Sequence, residues 1–172
     1  MYNITDFNNT LDYLPLFNGV LLTDIIVIIV ALTGITFQSQ VLFNWYKKYT
    51  LEAVIADVFI IVLGLILARY LYSKIFTEFS LVKFIGLAVV IQVIHDILFY
   101  QLVLAIPRNK SGIIDTFREY GNENGVKAII ADSTMMILAS VLFSYLGNKS
   151  LNTNIITLIF SIYIVIYLIN SF

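Results

Sequence analysis

Apolar runs of membrane-crossing length dominate this chain. Roughly 19–38, 51–73, 82–106, 126–147 and 153–172 each offer about 20 mostly apolar residues, the length a helix needs to cross a bilayer. Only short connections separate them, apart from the polar stretch 107–125. Of the 172 residues 60% are hydrophobic and 12% charged, whereas a soluble domain is about 25% charged. In water such a chain would expose large apolar patches, so lipid is its natural solvent. The pattern predicts an all-α polytopic bundle of about five spans, folded as a single membrane domain over 1–172. Residues 1–18 form an extramembrane tail in this reading. They carry Asp6, Asp12 and Pro15 and no basic residue, unlike a signal or transit peptide, so the first span is expected to be retained.

Basic residues orient the spans. With the N-terminus outside, Lys47, Lys48, Arg108, Lys110, Arg118 and Lys127 fall inside, and Arg69, Lys74, Lys83 and Lys149 fall outside or at outer helix ends. The expectation is therefore N-out, C-in. Arg69 and Lys74 are expected to snorkel outward, and Asp24, near the outer end of the first span, to be interfacial.

An internal repeat marks the place to look for function. At a constant offset of 75, residues 53–74 match 128–149 at Ala53/Ala128, Ala56/Ala131, Asp57/Asp132, Tyr70/Tyr145, Leu71/Leu146 and Lys74/Lys149, among others. Repeat units of about 51–106 and 126–172 would each return the chain to its starting side. The copies would then be parallel, related by an axis along the membrane normal. That axis could bring the second and fourth spans together, with Asp57 and Asp132 each about 9–10 Å from the inner helix start. Gly64-x-x-x-Ala68 and Ser140-x-x-x-Ser144 supply small residues for close packing.

Acids inside a span are costly, so they pair, hold a proton or face a wet cavity. The third span adds Gln92, His95, Asp96, Tyr100 and Gln101. Gln92, Asp96 and Tyr100 share one helical face at intervals of four, and His95 stands on an adjacent face. Residues 113–125 read as a short interfacial helix, whose Glu119 and Glu123 could line the inner mouth beneath Asp132. Each feature has a plainer reading. Asp57 and Asp132 could be first-turn acids near headgroups. His95–Asp96 could be a packed hydrogen-bonded pair, and Glu119 and Glu123 could be solvated.

No nucleotide-binding, metalloprotease or nucleophile-elbow motif occurs, and no potassium-filter string. No cofactor is implied, and no basic cluster serves nucleic acid. The strings HDILFY at 95–100 and REYGNENGVKAIIADS at 118–133 resemble small multi-pass membrane proteins encoded by large nucleocytoplasmic DNA viruses. That resemblance implies a protein of a virion's internal membrane or of the host endomembrane supplying it, partnered by lipid, by copies of itself or by other membrane or capsid proteins. Three functions follow as expectations: a structural or assembly component of such a membrane, a small proton or cation transporter or channel using Asp57, Asp132 and His95–Asp96, or an embedded enzyme acting on lipid with a divalent metal on Asp57, Asp96 and Asp132.

Overall fold

A computed structural model describes residues 2–35 and 38–171. The expected ends of the first span at 36 and 37, and Phe172 at the end of the fifth, lie outside the described residues. Among the described residues helix accounts for 83% and there is no strand. The helices are α1 (Tyr13–Thr33), α2 (Gln40–Ile75), α3 (Leu81–Ala105), α4 (Gly112–Asn124), α5 (Val126–Gly147) and α6 (Leu151–Asn170). Five of them, all but α4, are long and apolar enough to cross a membrane. The protein is compatible in every span with a multi-pass membrane protein.

The first span starts six residues earlier than the sequence predicts. Pro15 does not precede it but sits in the first turn of α1, where its missing N–H costs nothing and its fixed φ suits a helix. At the other end Gly34 takes a left-handed φ of 65° and its N–H bonds Val30 O at 2.8 Å, closing α1. Moving the helix back places Asp24 in its middle rather than at an interface, and the side chain is fully buried.

Helix α2 is two helices joined at a kink. Thr50 has φ 43° and ψ −113°, which divides an arm of 40–49 from a span of 51–75. Gly125 has φ 50° and ψ −123° where α4 passes into α5. The two joints lie 75 residues apart, the same spacing as Asp57 and Asp132. The arm is missing from the sequence reading, which leaves 39–50 as a connection. Ser39 caps it by accepting from Leu42 N, as Ser111 caps α4 by accepting from Ile114 N.

Helix α1 is central, packing on α5 above all and also on α2 and α6. The reason is Gly19. A β-carbon built there would sit 2.7 Å from Phe143 N and 3.0 Å from Ala139 O, so the two backbones all but touch. By contrast α2 meets α5 sparsely, chiefly where Gly64 faces the Met136 methyl. Polar clamps tie the end of the bundle nearest the N-terminal tail. Asn18 Nδ2 donates to Asn154 O at 2.8 Å, and Asn154 Nδ2 donates to Leu146 O at 3.0 Å.

Arg69 does not snorkel. It is fully buried in an ion pair with equally buried Asp12 at 2.7 Å. Its Nε donates to Ile4 O at 2.9 Å, and Nη2 also donates to Asp6 O and Asn9 O. Tyr2 donates to Asp12 Oδ1 at 2.7 Å. The tail thus folds over the helix ends and supplies acceptors to Nε and Nη2, while Nη1 has no hydrogen-bond partner among the described residues. Lys74 is exposed, as expected, with its ammonium over the Tyr70 ring.

At the opposite end α4 lies across the bundle, held by Arg118. Its guanidinium donates to Val103 O at 2.6 Å and to Ile106 O, carbonyls that the end of α3 leaves open, and pairs with Asp115 at 2.9 Å. Arg118→Ala should therefore loosen α4 by about 1.5–3 kcal/mol. Amide exchange across 107–125 should speed up while α1 and α5 stay protected. Unchanged exchange there would contradict this anchoring role.

A candidate cavity between the spans

Between α1, the α2 arm and span, α3, α4 and α5 lies a cavity of about 900 Å³, within the roughly 300–1,000 Å³ range of ligand pockets. It occupies the half of the bundle nearer α4. The arm and α4 form its floor because each leaves its span through one non-helical residue, Thr50 or Gly125, and turns beneath it.

The sequence-predicted polar residues converge here. Asp57, Asp132, Gln92, His95, Asp96, Tyr100 and Gln101 all line the cavity. Gln92 Nε2 donates to Asp96 Oδ1 at 2.7 Å, as their spacing on one face predicts. His95 Nδ1 lies 3.3 Å from the same oxygen, and its ring stacks on Phe99 at 5.6 Å. Tyr100 reaches to the floor, donating to Asn122 Oδ1 at 3.0 Å. The other oxygen of Asp96 is buried and has no hydrogen-bond partner among the described residues. Glu119 and Glu123 are exposed and do not line the cavity. Glu119 instead borders a shallow surface pocket shared with Lys47 and Lys48. The helical face of α4 that looks into the cavity carries Phe117, Tyr120 and Gly121.

Three residues of the site are missed by sequence reasoning. Trp45 Nε1 donates to Asp57 Oδ2 at 3.0 Å. The Tyr46 hydroxyl lies 2.8 Å from the same oxygen and 3.1 Å from Asp24 Oδ1. Tyr120 stands on α4 at the offset of 75 from Trp45. Its phenol is pushed up from its usual range, first by burial and then by the negative charges of Asp132, Asp57, Asp96 and Glu123. That signal was in the sequence: carried back from Asp57/Asp132, the repeat offset pairs Trp45 with Tyr120, an aromatic beneath each aspartate.

The walls are aromatic and aliphatic. Phe117 packs on Trp45 at 4.8 Å and on Phe99 at 5.1 Å, linking arm, α4 and α3 in one aromatic wall. No Lys or Arg lines the cavity among the described residues. Its charge is set by Asp57, Asp96 and Asp132 alone, with His95 beside Asp96. Those acids do not gather around a point. Among the described residues no group of three or more His, Cys, Asp or Glu is placed to hold a metal ion. A divalent metal shared by Asp57, Asp96 and Asp132 is therefore not supported by the donor geometry, which needs oxygens within about 2.0–2.6 Å of one centre. Comparison of the chain with protein-family models, curated proteins and solved structures gave no match.

Proposed function

We propose that this multi-pass membrane protein is a small transporter whose cavity binds a lipophilic organic cation. One observation carries the reading: a large cavity whose acidic and basic side chains are three aspartates and a histidine, and whose remaining wall is mostly apolar and aromatic. A bare divalent ion needs several oxygens around one point, and among the described residues no three His, Cys, Asp or Glu side chains gather to supply them. An organic cation asks for less. Its charge is balanced by carboxylates nearby, its body packs on aliphatic walls, and aromatic faces such as Trp45 attract it further. The absence of basic side chains from the described lining disfavours an anionic ligand by the same logic.

Tetraphenylphosphonium, a permanent cation without a proton to lose, is a suitable probe. Purified protein in detergent should bind it, and reconstituted vesicles should take it up. Asp57→Asn and Asp132→Asn should each weaken binding about ten- to hundredfold, the loss of one charge-assisted contact, while remaining folded. Equal binding by wild type and by the double variant would overturn the reading.

A structural role in a viral membrane is the competing reading, and it rests on the HDILFY and REYGNENGVKAIIADS resemblance. It gives the cavity acids no task beyond packing. Under it both Asn variants would insert and assemble normally, and the probe would not bind.

A further inference from the structure

Behind the cavity wall lies a group that the cation-binding reading leaves unused. Asp24 does not line the cavity, although its neighbour Thr23 does. It is fully buried at the middle of α1, its Oδ1 lies 3.1 Å from the Tyr46 hydroxyl, and its Oδ2 has no partner among the described residues. The same hydroxyl reaches Asp57 Oδ2, which also accepts from Trp45.

Counting protons decides what this chain of contacts can be. A tyrosine hydroxyl has one proton to give and can accept another. Two ionised carboxylates would both need that single proton, and two negative charges would share one buried hydroxyl with no cation beside them. Like charges that close do not both ionise without compensation. If Asp24 keeps its proton, every contact is satisfied in one direction. Asp24 donates to Tyr46, Tyr46 donates to Asp57, and Trp45 donates to the same Asp57 oxygen.

Among the described residues no lysine or arginine lines the cavity beside Tyr46 and Asp57. On α2 the neighbours are Trp45, Tyr46 and Asp57; α3 brings Asp96 with His95, α4 brings Tyr120, and α5 brings Asp132. Helix α6 carries no Asp, Glu, Lys, Arg or His among its described residues. The two buried arginines are committed elsewhere, Arg69 to Asp12 at the tail end and Arg118 to Asp115 and the end of α3.

We propose that Asp24, Tyr46 and Asp57 form a proton-binding site that gives up its proton when the cavity takes a cation, making the transporter a proton exchanger. The proposal rests on the cation-binding reading above. Charge balances in the exchange. The empty triad holds one carboxyl proton beside the phenol proton of Tyr46 and carries one negative charge; the cation's positive charge lets the second carboxyl ionise. The Asp24 O–H bond breaks as its proton passes to Tyr46 Oη, the Tyr46 proton passes to Asp57 Oδ2, and a proton leaves Asp57 for water in the cavity. Tyr46 ends as a neutral phenol and no electron changes hands. Asp24 is thus a positioning and proton-storing residue that never touches the ligand.

The test titrates tetraphenylphosphonium into purified protein in weakly buffered detergent with a pH indicator. Wild type should release about one proton per cation bound. Asp24→Asn is isosteric and still donates to Tyr46, so binding should persist within about threefold while proton release disappears. Tyr46→Phe should also abolish release. Infrared spectroscopy supplies an independent readout: wild type should show the carbonyl stretch of a protonated carboxyl that fades on cation binding and is missing in Asp24→Asn. Binding without release, or undiminished release from Asp24→Asn, overturns the exchange and leaves the cation site standing. No binding by wild type refutes the cation site and the exchange with it, and the infrared band then reports whether the triad holds a proton. Should Asp24→Asn fail to fold, absence of the fading band in wild type alone refutes the proposal.

Discussion

Arg69→Met should destabilise the protein by about 3–5 kcal/mol, the cost of leaving a buried ion without its partner. Asp12 would remain fully enclosed with only Tyr2 and Asn9 as neutral donors. Three tail carbonyls, of Ile4, Asp6 and Asn9, would lose their common donor at once. The guanidinium also lies over the Tyr13 and Phe143 rings, 5.3 Å and 5.7 Å from their centroids, so packing is lost with the charge. Thermal unfolding in detergent measures the loss, and limited proteolysis within residues 2–12 locates it. The double change Arg69→Met with Asp12→Asn separates the causes. Removing both charges avoids the stranded carboxylate, so the double variant should be more stable than Arg69→Met alone. A double variant at least as damaged as the single would show that packing, not charge, holds the tail.

Gly19→Leu should be comparably harmful for a different reason. The added β-carbon would lie 2.7 Å from a backbone nitrogen of α5, and backbone cannot rotate aside as a side chain can. The helices must separate, which costs at least about 1–3 kcal/mol for overpacking and more for the packing forfeited along their length. Gly86→Ala is the matched control. Nothing lies within 4 Å of a β-carbon there, so that change should stabilise α3 by about 0.5–1 kcal/mol through helix propensity. Equal melting of the two variants would refute the close approach of α1 and α5.

These two sites also show where reading the sequence stopped. The spans were legible because apolar length is a demand of the solvent, independent of how the helices pack. Asp57, Asp96 and Asp132 stood out for the same reason, since an acid in lipid needs a use, and all three line one cavity. Arg69 obeys that rule as well, yet was expected to reach outward. What satisfies it is a tail of irregular backbone folded back over the bundle, and no periodicity announces such a fold. Asp24 lies deeper than the sequence predicts because Pro15 belongs to the first turn of α1 rather than preceding the span. Tyr46 and Trp45 were hidden because a ten-residue arm at 40–49 resembles a polar connection when taken alone. Only beside α4, 75 residues further along, does it read as a helix.

The two joints at Thr50 and Gly125 divide labour between the ends of the molecule. At the tail end, Arg69 and the asparagine clamps knit several segments into one block, and opening it would break many bonds together. At the other end, the floor joins its spans through two single non-helical residues and is pinned to them by Arg118 and by the rings around Phe117, so lifting it breaks those few contacts without unravelling a span. The two ends should therefore come apart differently, one as a single block and the other as a plate lifting from its pins.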